Sequence, residues 1–542
     1  MTINYTPPKH TFILFTFLIG FIYRCLTGLQ GIDNVDVGFC NTFYECIFKY
    51  PEANSFNFLY YLTGVIGGFW EVVFGNYGLL GFRFFEAFTL TLSIFLLYSI
   101  FKKYIPWQYS LIAISLCFVF PTITVTFHYD TFSYLLIAIS AFCINKAKEE
   151  KYCIWVILSG FFIGLSIFAR IVNAALIALI IIPLFVFKKH ERSKINIKAG
   201  VCFAIGIVLG CFLAVCMLLI SHQEAYYIDA IQQAFCTLSN NNATHSKGNI
   251  IYKYFKSGIN IALTIVVLLI IAKLTTIKQI KKYKDHILTK ILLTIIIFIL
   301  SYTSLPYTVA LACSLLICLY AIINKNIGEG KVVVSYLIIA TLIFPIGSDI
   351  GIAGVYNWIA GMAIFPAAYC YTKISKKWNS LLLITILCIG LSGIIKQAFK
   401  AYGAVKPRWK ETTLVQNDRL NIYTDSANAL QYQQVIKAIN KEQDSNRRLL
   451  FLINQKSEYY YATHSLPFLG HTQTVIYTGQ SLIDRLNERK AFFKSYPLIV
   501  ELKKVKPLSE TEEVSKLTHI WMKKQKYSVA YNDSYCTIYK RK

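Results

Sequence analysis

Acidic side chains are scarce in this sequence. The 542 residues include 28 Asp and Glu against 54 Lys and Arg, a formal net charge of +26. Such a basic excess invites a nucleic-acid partner, but its distribution argues against one. Much of the Lys and Arg sits in short loops between apolar runs, where it orients helices in a bilayer. No Walker loop, zinc-spaced Cys/His set or Gly-x-Ser-x-Gly elbow is found, so the motif-borne chemistries of those classes drop out. The alternating ten-residue segments of a closed barrel are missing as well. No internal repeat or low-complexity tract appears, which weakens an inverted-repeat transporter reading. The first apolar stretch lacks a small-residue cleavage signature and reads as a retained helix. Most of the 15 cysteines fall in apolar segments as small hydrophobes. Cys40, Cys46 and Cys236 fall in expected external loops, where a bridge is open to them. The tail holds only Cys536, so there is no disulfide framework.

What the chain has instead is hydrophobicity, at 56% of residues. Apolar runs recur from about Thr11 to Ile395. Expected spans are 11–30, 79–101, 106–126, 130–147, 152–170, 171–187, 199–220, 258–276, 287–303, 305–323, 332–346, 354–372 and 379–396, or about thirteen helices of bilayer-crossing length. The chain therefore reads as a polytopic α-helical membrane protein. Its Lys-rich loops are Lys102-Lys103, Lys146 to Lys151, Lys188 to Lys198, Lys273 to Lys290, Lys325 to Lys331 and Lys373 to Lys377. The loops near Asp130, Ser301–Leu305 and Pro345–Gly354 have neither Lys nor Arg. With the N-terminus inside, every rich loop is cytoplasmic and the C-terminus is outside.

The domain reading is a membrane domain over 1–402 and an extracytoplasmic α/β domain over 403–542. External loop 31–78 carries Phe39, Phe43 and Ile47 at i, i+4 spacing, as for an interfacial amphipathic helix. Phe56–Phe74 reads as half-buried, because counting it as a span would put Asp130 inside. External loop 221–257 is polar and aromatic. In the tail, 426–442 and Thr511–Lys526 read as helices and Leu449–Ile453 as a buried strand. Tyr527–Tyr531 and Tyr535–Tyr539 flank Asn532-Asp533-Ser534 as a terminal hairpin.

Against this threading the few acids become informative. Asp33 and Asp36 follow the first span and Asp130 opens the fourth, all on the external side. Ionisable groups beside hydrocarbon are costly, so their convergence at one face makes a functional-site hypothesis.

The sequence Asp33-Asn34-Val35-Asp36-Val37-Gly38-Phe39, then Asn57-Phe58-Leu59-Tyr60-Tyr61 and Gly78-Leu79-Leu80-Gly81-Phe82-Arg83, resembles a known order of motifs. Tyr129-Asp130-Thr131 and Gly160 through Ala169-Arg170 continue it. Together these resemble the GT-C superfamily of membrane glycosyltransferases, including protein O-mannosyltransferases, aminoarabinose transferases of lipid A and oligosaccharyltransferase catalytic subunits. The resemblance covers residues 1–190 well, is weak through the middle helices and is carried by no motif in the tail. It implies an enzyme that moves a sugar from a polyprenyl-phosphate donor to a glycan, lipid or protein acceptor outside the membrane. With the Ile/Lys/Asn-rich composition, it points to a bacterial inner membrane with the site and tail facing the periplasm.

An acceptor hydroxyl needs a carboxylate to take its proton, and a departing phosphate is well met by Arg. The resemblance places the base at Asp36, with Asp33 as the alternative; the plainer reading of either is a helix N-cap. Asp130 matches the superfamily's second acidic motif, with favourable placement in the helix dipole as its plainer reading. His128 stands beside it. Arg170 takes the place where relatives often carry Lys, for phosphate binding or for snorkelling to headgroups. Arg83, Lys247, His245 and Tyr226 are further substrate candidates, and Tyr226 and Tyr227 equally suit an interfacial belt. Asp349 in a Gly-rich external turn could contact sugar or acceptor, or simply form the turn. The superfamily's occasional second acid beside the first-loop Asp is not matched here. Glu45 could compensate, or lie on a solvated face, so a divalent metal is left open. The competing readings are a transporter or flippase of lipid-linked sugars and a surface polysaccharide polymerase or ligase. A single external cavity would separate the enzyme reading from a path through the membrane.

Overall fold

The computed structural model describes residues 10–541 except 34, 121–125, 148–151, 186–195, 240–245, 275–293, 296–297, 300–301, 303–305, 324–327, 349, 374–378, 400, 402–403, 405, 444–447, 454–455, 475–476, 478 and 504–508. Helices meet each expected span except 287–303, which lies almost wholly outside the described residues. They are α1 (His10–Thr27), α4 (Gly78–Phe101), α5 (Trp107–Val119), α6 (Tyr129–Lys146), α7 (Tyr152–Ala169), α8 (Ile181–Phe185), α9 (Ile197–Ile220), α11 (Lys247–Leu274), α12 (Pro306–Ile323), α13 (Lys331–Ile343), α14 (Gly351–Ile359), α15 (Gly361–Tyr371) and α16 (Asn379–Phe399). Between them lie α2 (Asp36–Cys46), α3 (Tyr61–Phe74) and α10 (Glu224–Ser239). Among the described residues five helical segments are long and apolar enough to cross a membrane alone, or up to six with a bent pair.

Four expectations need correction. The span 171–187 is a 3-10 helix over Ile171–Ile180 that runs into α8. The span 354–372 is two helices bent by 80°. Apolar composition cannot report either break. At the second, Gly361 packs so closely on the Tyr134 hydroxyl that a Cβ would overlap it. Loop 221–257 is largely helical, as α10 and the start of α11. Finally, α2 shows no solvated face of the kind an amphipathic helix has. Val37 through Tyr44 are all buried, because the C-terminal domain covers the face that would otherwise meet water. Cys40 and Cys46 are free buried thiols there.

Close packing fixes the helix that leads into the site. Gly160 and Gly164 of α7 meet Gly206 and Gly210 of α9, and a Cβ at any of them would overlap backbone of the opposite helix. Small residues allow this approach, and dispersion between the two backbones then holds the pair. The chain leaves α7 at Arg170 in an extended conformation, φ −158° and ψ 112°.

The C-terminal domain has a five-stranded mixed sheet in the order β4-β3-β5-β7-β6. Its strands are β3 (Leu449–Leu452), β4 (Leu466–Pro467), β5 (Leu498–Leu502), β6 (Tyr527–Asn532) and β7 (Cys536–Arg541). β3 runs parallel to β4 and β5, while β7 is antiparallel to β5 and β6. Helix α17 (Ser426–Glu442) is capped by Asp425, whose side chain accepts from the Ala427 N–H, a device worth about 1 kcal/mol. Its Tyr432, Val435, Ile436 and Ile439 form the buried stripe expected of an amphipathic helix. They pack on Leu450, Leu452, Val500 and Ile538 from one sheet face. On the other face α19 (Gln480–Phe493) and α20 (Ser509–Lys524) bury Leu482, Leu486 and Trp521.

The first of these cores also takes in Ile32, Val37 and Leu79 from the N-terminal part of the chain. Burying each such side chain is worth roughly 1.5–3 kcal/mol, so the two parts share one apolar seam. A small sheet of β1 (Thr413–Val415) and β2 (Ile422–Thr424) reinforces it. Tyr423 exchanges backbone hydrogen bonds with Leu29 and Gly31. On the other side of the seam, Arg419 pairs with Glu71 and Glu45, and His464 with Glu45.

Candidate active site

A cavity of about 580 Å³ opens where α2, the loop before α6, the start of the 3-10 helix, α10 and the turn before α14 meet the C-terminal domain. Asp33, Asp36, His128, Asp130 and Arg170 all line it. Residues distant in sequence thus converge at one end of the helical bundle.

The two first-loop acids have different jobs. The Asp33 carboxylate accepts the backbone N–H groups of Val35, Asp36 and Val37, the first at 3.0 Å and the last at 3.3 Å. These are donors that the first turn of a helix leaves unsatisfied. Asp33 is therefore the cap, and Asp36 is the first residue of α2, half-buried on the cavity wall.

At the start of α6 the cap is His128, whose Nδ1 accepts the Asp130 N–H at 3.3 Å. That bond puts the imidazole proton on Nε2. Burial lowers the ring to about 4 despite the opposing pull of Asp130, so it is neutral at ordinary pH. Among the described residues its Nε2 has no hydrogen-bond partner. Asp130, relieved of capping, pairs with Arg170 at 3.4 Å and stands 3.6 Å from His128 Nδ1. Arg170 also donates to the Phe344 carbonyl at 2.9 Å and lies over the Phe344 ring at 4.9 Å and the Tyr129 ring at 5.8 Å. A guanidinium held on two aromatic faces is oriented by contacts that an ammonium would not reproduce.

Arg83 lies elsewhere. It donates to the carbonyls of Gly28, Gln30 and Gly31, which follow the end of α1 and need donors. Tyr226 packs its ring 5.6 Å from Phe58, and Tyr227 stacks on Phe168 at 5.4 Å. Lys247 is exposed at the start of α11. None of these four is among the cavity-lining residues. Glu45 also lies off the cavity, in the pairing with Arg419 and His464. Asp349 and His245 fall outside the described residues, although Gly347, Ser348 and Ile350 on either side of Asp349 line the cavity.

Sequence reasoning missed part of the wall. Tyr60, Tyr129 and Trp358 line it, with Tyr60 stacked on Tyr129 at 4.0 Å and Trp358 on His128 at 5.7 Å. His471 and Gln473 reach it from the C-terminal domain. No local pattern marks those two; only the docking of the domain brings them in. Among the described residues no three His, Cys, Asp or Glu side chains stand close enough together to hold a metal ion, and no step of the chemistry is assigned to one.

Residues 64–218 match the family model of dolichyl-phosphate-mannose-protein mannosyltransferases. That stretch holds His128, Asp130 and Arg170 and excludes the first-loop acids. The fold is similar to that of ArnT from Cupriavidus metallidurans, solved bound to undecaprenyl phosphate. The TM-score is 0.50 at 9% identity, over 98% of each chain. The oligosaccharyltransferase of Archaeoglobus fulgidus, solved with Zn and sulfate, gives 0.47 at 10% identity, over 90% of this chain and 68% of that one. No curated protein matches the sequence. The chain is a membrane protein with the fold of the GT-C glycosyltransferases, the superfamily its sequence resembles.

Proposed function

We propose that the protein is an inverting glycosyltransferase that moves a sugar from a polyprenyl-phosphate carrier to a cell-envelope acceptor at the external face of the membrane. The observation that carries this reading is the convergence of Asp36, His128, Asp130 and Arg170 on one cavity under the C-terminal domain. A carboxylate at Asp36 and a guanidinium at Arg170 on one cavity suit the two halves of the transfer.

Arg170 and the Nε2–H of His128 are donors for the carrier phosphate, and Asp130 orients the guanidinium. Asp36 serves as base. The acceptor oxygen attacks the sugar C1 while its proton passes to the Asp36 carboxylate. The bond from C1 to the phosphate oxygen breaks, and its electron pair leaves with the carrier phosphate. One displacement inverts C1 and needs no covalent enzyme intermediate. Asp33 holds α2, and thereby Asp36, in place.

The apolar part of the wall, including Ile231, Phe235, Leu238 and Ile350, gives a polyprenyl chain a route to the bilayer. The ArnT structure bound to undecaprenyl phosphate supplies the precedent for such a carrier on this fold. The test is transfer from a panel of polyprenyl-phosphate sugars in membranes carrying wild type or Asp36→Asn at matched expression. Loss of transfer with donor binding retained supports Asp36 as base. Undiminished transfer removes Asp36 from the mechanism. A wild type that transfers nothing but moves lipid-linked sugar across the bilayer is a flippase.

A further inference from the structure

Cations on the side of the C-terminal domain that meets the membrane domain have acidic partners. Lys406 pairs with Asp425 and Arg485 with Glu488, both at 2.9 Å, and Arg419 reaches Glu45 and Glu71. The far end of the domain is located by strand direction. β3 runs toward the seam, because Ser457–Glu458, a few residues past its end, press on Gly38 of α2. β4 is parallel to β3 and leads to Gly470, whose carbonyl accepts the Phe56 N–H at 3.4 Å. β5 is parallel to β3 as well, so its start points away from the membrane domain. β7 is antiparallel to β5, and β6 to β7, which puts the end of β7 and the start of β6 there too. The five residues of β5 separate that end from the seam end of the strand by roughly 17 Å.

Unmatched cations collect at the far end. Arg541 closes β7 opposite Tyr527, and Lys526 directly precedes β6. Lys523 and Lys524 end α20, while Lys490 and Lys494 come from the end of α19. One ring ties the group together. Arg541 lies 3.9 Å and Lys490 5.1 Å from the centre of Tyr496. The Gln525 side chain accepts from Lys490 Nζ at 2.9 Å and from the Tyr496 hydroxyl at 3.3 Å. The turn bearing Lys523, Lys524 and Lys526 is thereby bound to the same point. Lys490 is half-buried and the other five cations are exposed. Among the described residues none of the six forms an ion pair.

Like charges held together without acids repel one another and raise a local potential that draws in anions. The Tyr496 ring offsets part of that repulsion through its face. Because this end points away from the membrane domain, the headgroups around the helices are not its partner. The surface is built from Lys, which the cores of protein–protein interfaces avoid. A stiff acidic sugar chain also loses less conformational freedom on binding than a flexible acidic peptide.

We propose that this end of the C-terminal domain binds an acidic glycan, a sugar chain with anionic groups on its repeats. The choice of a glycan rests on the transferase reading above, in which the surface retains the cell-envelope acceptor.

The test uses the full-length protein in nanodiscs of zwitterionic lipid at low salt. The probes are labelled polygalacturonate, dextran of the same length, polyglutamate at equal charge and phosphatidylglycerol vesicles. Polygalacturonate should bind, more weakly as salt rises, and dextran should not. Lys523→Gln combined with Lys524→Gln and Lys526→Gln should weaken that binding at least about tenfold. Arg541→Gln leaves the turn intact and should weaken it as well, so the assignment does not depend on one variant folding. Equal binding by wild type and both variants overturns the surface. Tighter binding of polyglutamate or of the vesicles overturns the glycan class, and failure to bind polygalacturonate overturns the proposal. A wild type that binds polygalacturonate yet transfers no sugar supports the surface and refutes the transferase reading alone.

Discussion

Glu458 offers the sharpest test of how the C-terminal domain holds the site. It opens α18 (Glu458–Ala462), the short helix seated on α2. Its side chain is fully buried, and one carboxyl oxygen accepts the Tyr432 hydroxyl. Burial pushes the carboxyl up from 4.5 to about 7, although Lys456 and the Tyr432 bond pull it down; Asp33 across the seam adds to the rise. Tyr459 also faces it. A carboxyl raised on folding stabilises the folded state in full below its unfolded value. That contribution disappears as the pH climbs through the folded value. At about 1.4 kcal/mol per unit, the interval from 4.5 to about 7 corresponds to about 3 kcal/mol. Glu458→Gln keeps the shape and cannot ionise. Hydrogen–deuterium exchange of the peptide covering 456–462, corrected for intrinsic rates, should therefore show a wild-type opening free energy that falls by about 3 kcal/mol relative to the variant between about pH 4.5 and 8. Parallel pH curves for the two proteins would refute the reasoning.

Arg170→Lys keeps the charge but loses the fork and the aromatic stacking, so donor affinity should fall about 10- to 100-fold, the equivalent of roughly 1.5–3 kcal/mol; a donor titration reads it, and unchanged affinity excludes Arg170 from the phosphate site. At Gly38 a Cβ would overlap the Ser457–Glu458 backbone, and Ser457 Oγ donates to the Val35 carbonyl just before α2. Gly38→Ala should destabilise the seam by about 1–3 kcal/mol and lower transfer, measured by thermal unfolding alongside activity. The hydrogen bond to Glu45 raises the His464 imidazole despite its partial burial. Its contribution to docking is present below the usual histidine value and fades as the pH rises through the raised one. His464→Gln should flatten that part of the pH dependence, followed by limited proteolysis of the tail.

The sequence by itself determined the membrane class, the approximate positions of most of the apolar helices, and in the tail two helices, one strand and the terminal hairpin. These are local properties: apolar length, hydrophobic period and loop charge are written in consecutive residues. The expected tail helix at 426–442 and the hairpin about Asn532–Ser534 were legible for the same reason. Asp36, Asp130 and Arg170 could be singled out because charge beside hydrocarbon is rare enough to stand out. What each does was decided only by tertiary structure. Asp33 and Asp36 look alike in sequence, yet the turn into α2 makes one a cap and leaves the other on the cavity wall. Arg83 was drawn to three carbonyls past the end of α1, a demand that arises only once that end is packed. The 3-10 course of the chain after Arg170 and the bend at Ala360 left no mark in hydropathy, which measures composition and not direction. His471 and Gln473 were out of reach altogether, because their place in the cavity depends on contacts between residues several hundred positions apart, such as Glu52 with Arg489 and Val35 with Ser457. Such contacts have no local signature; they exist because one apolar seam joins the two parts of the chain.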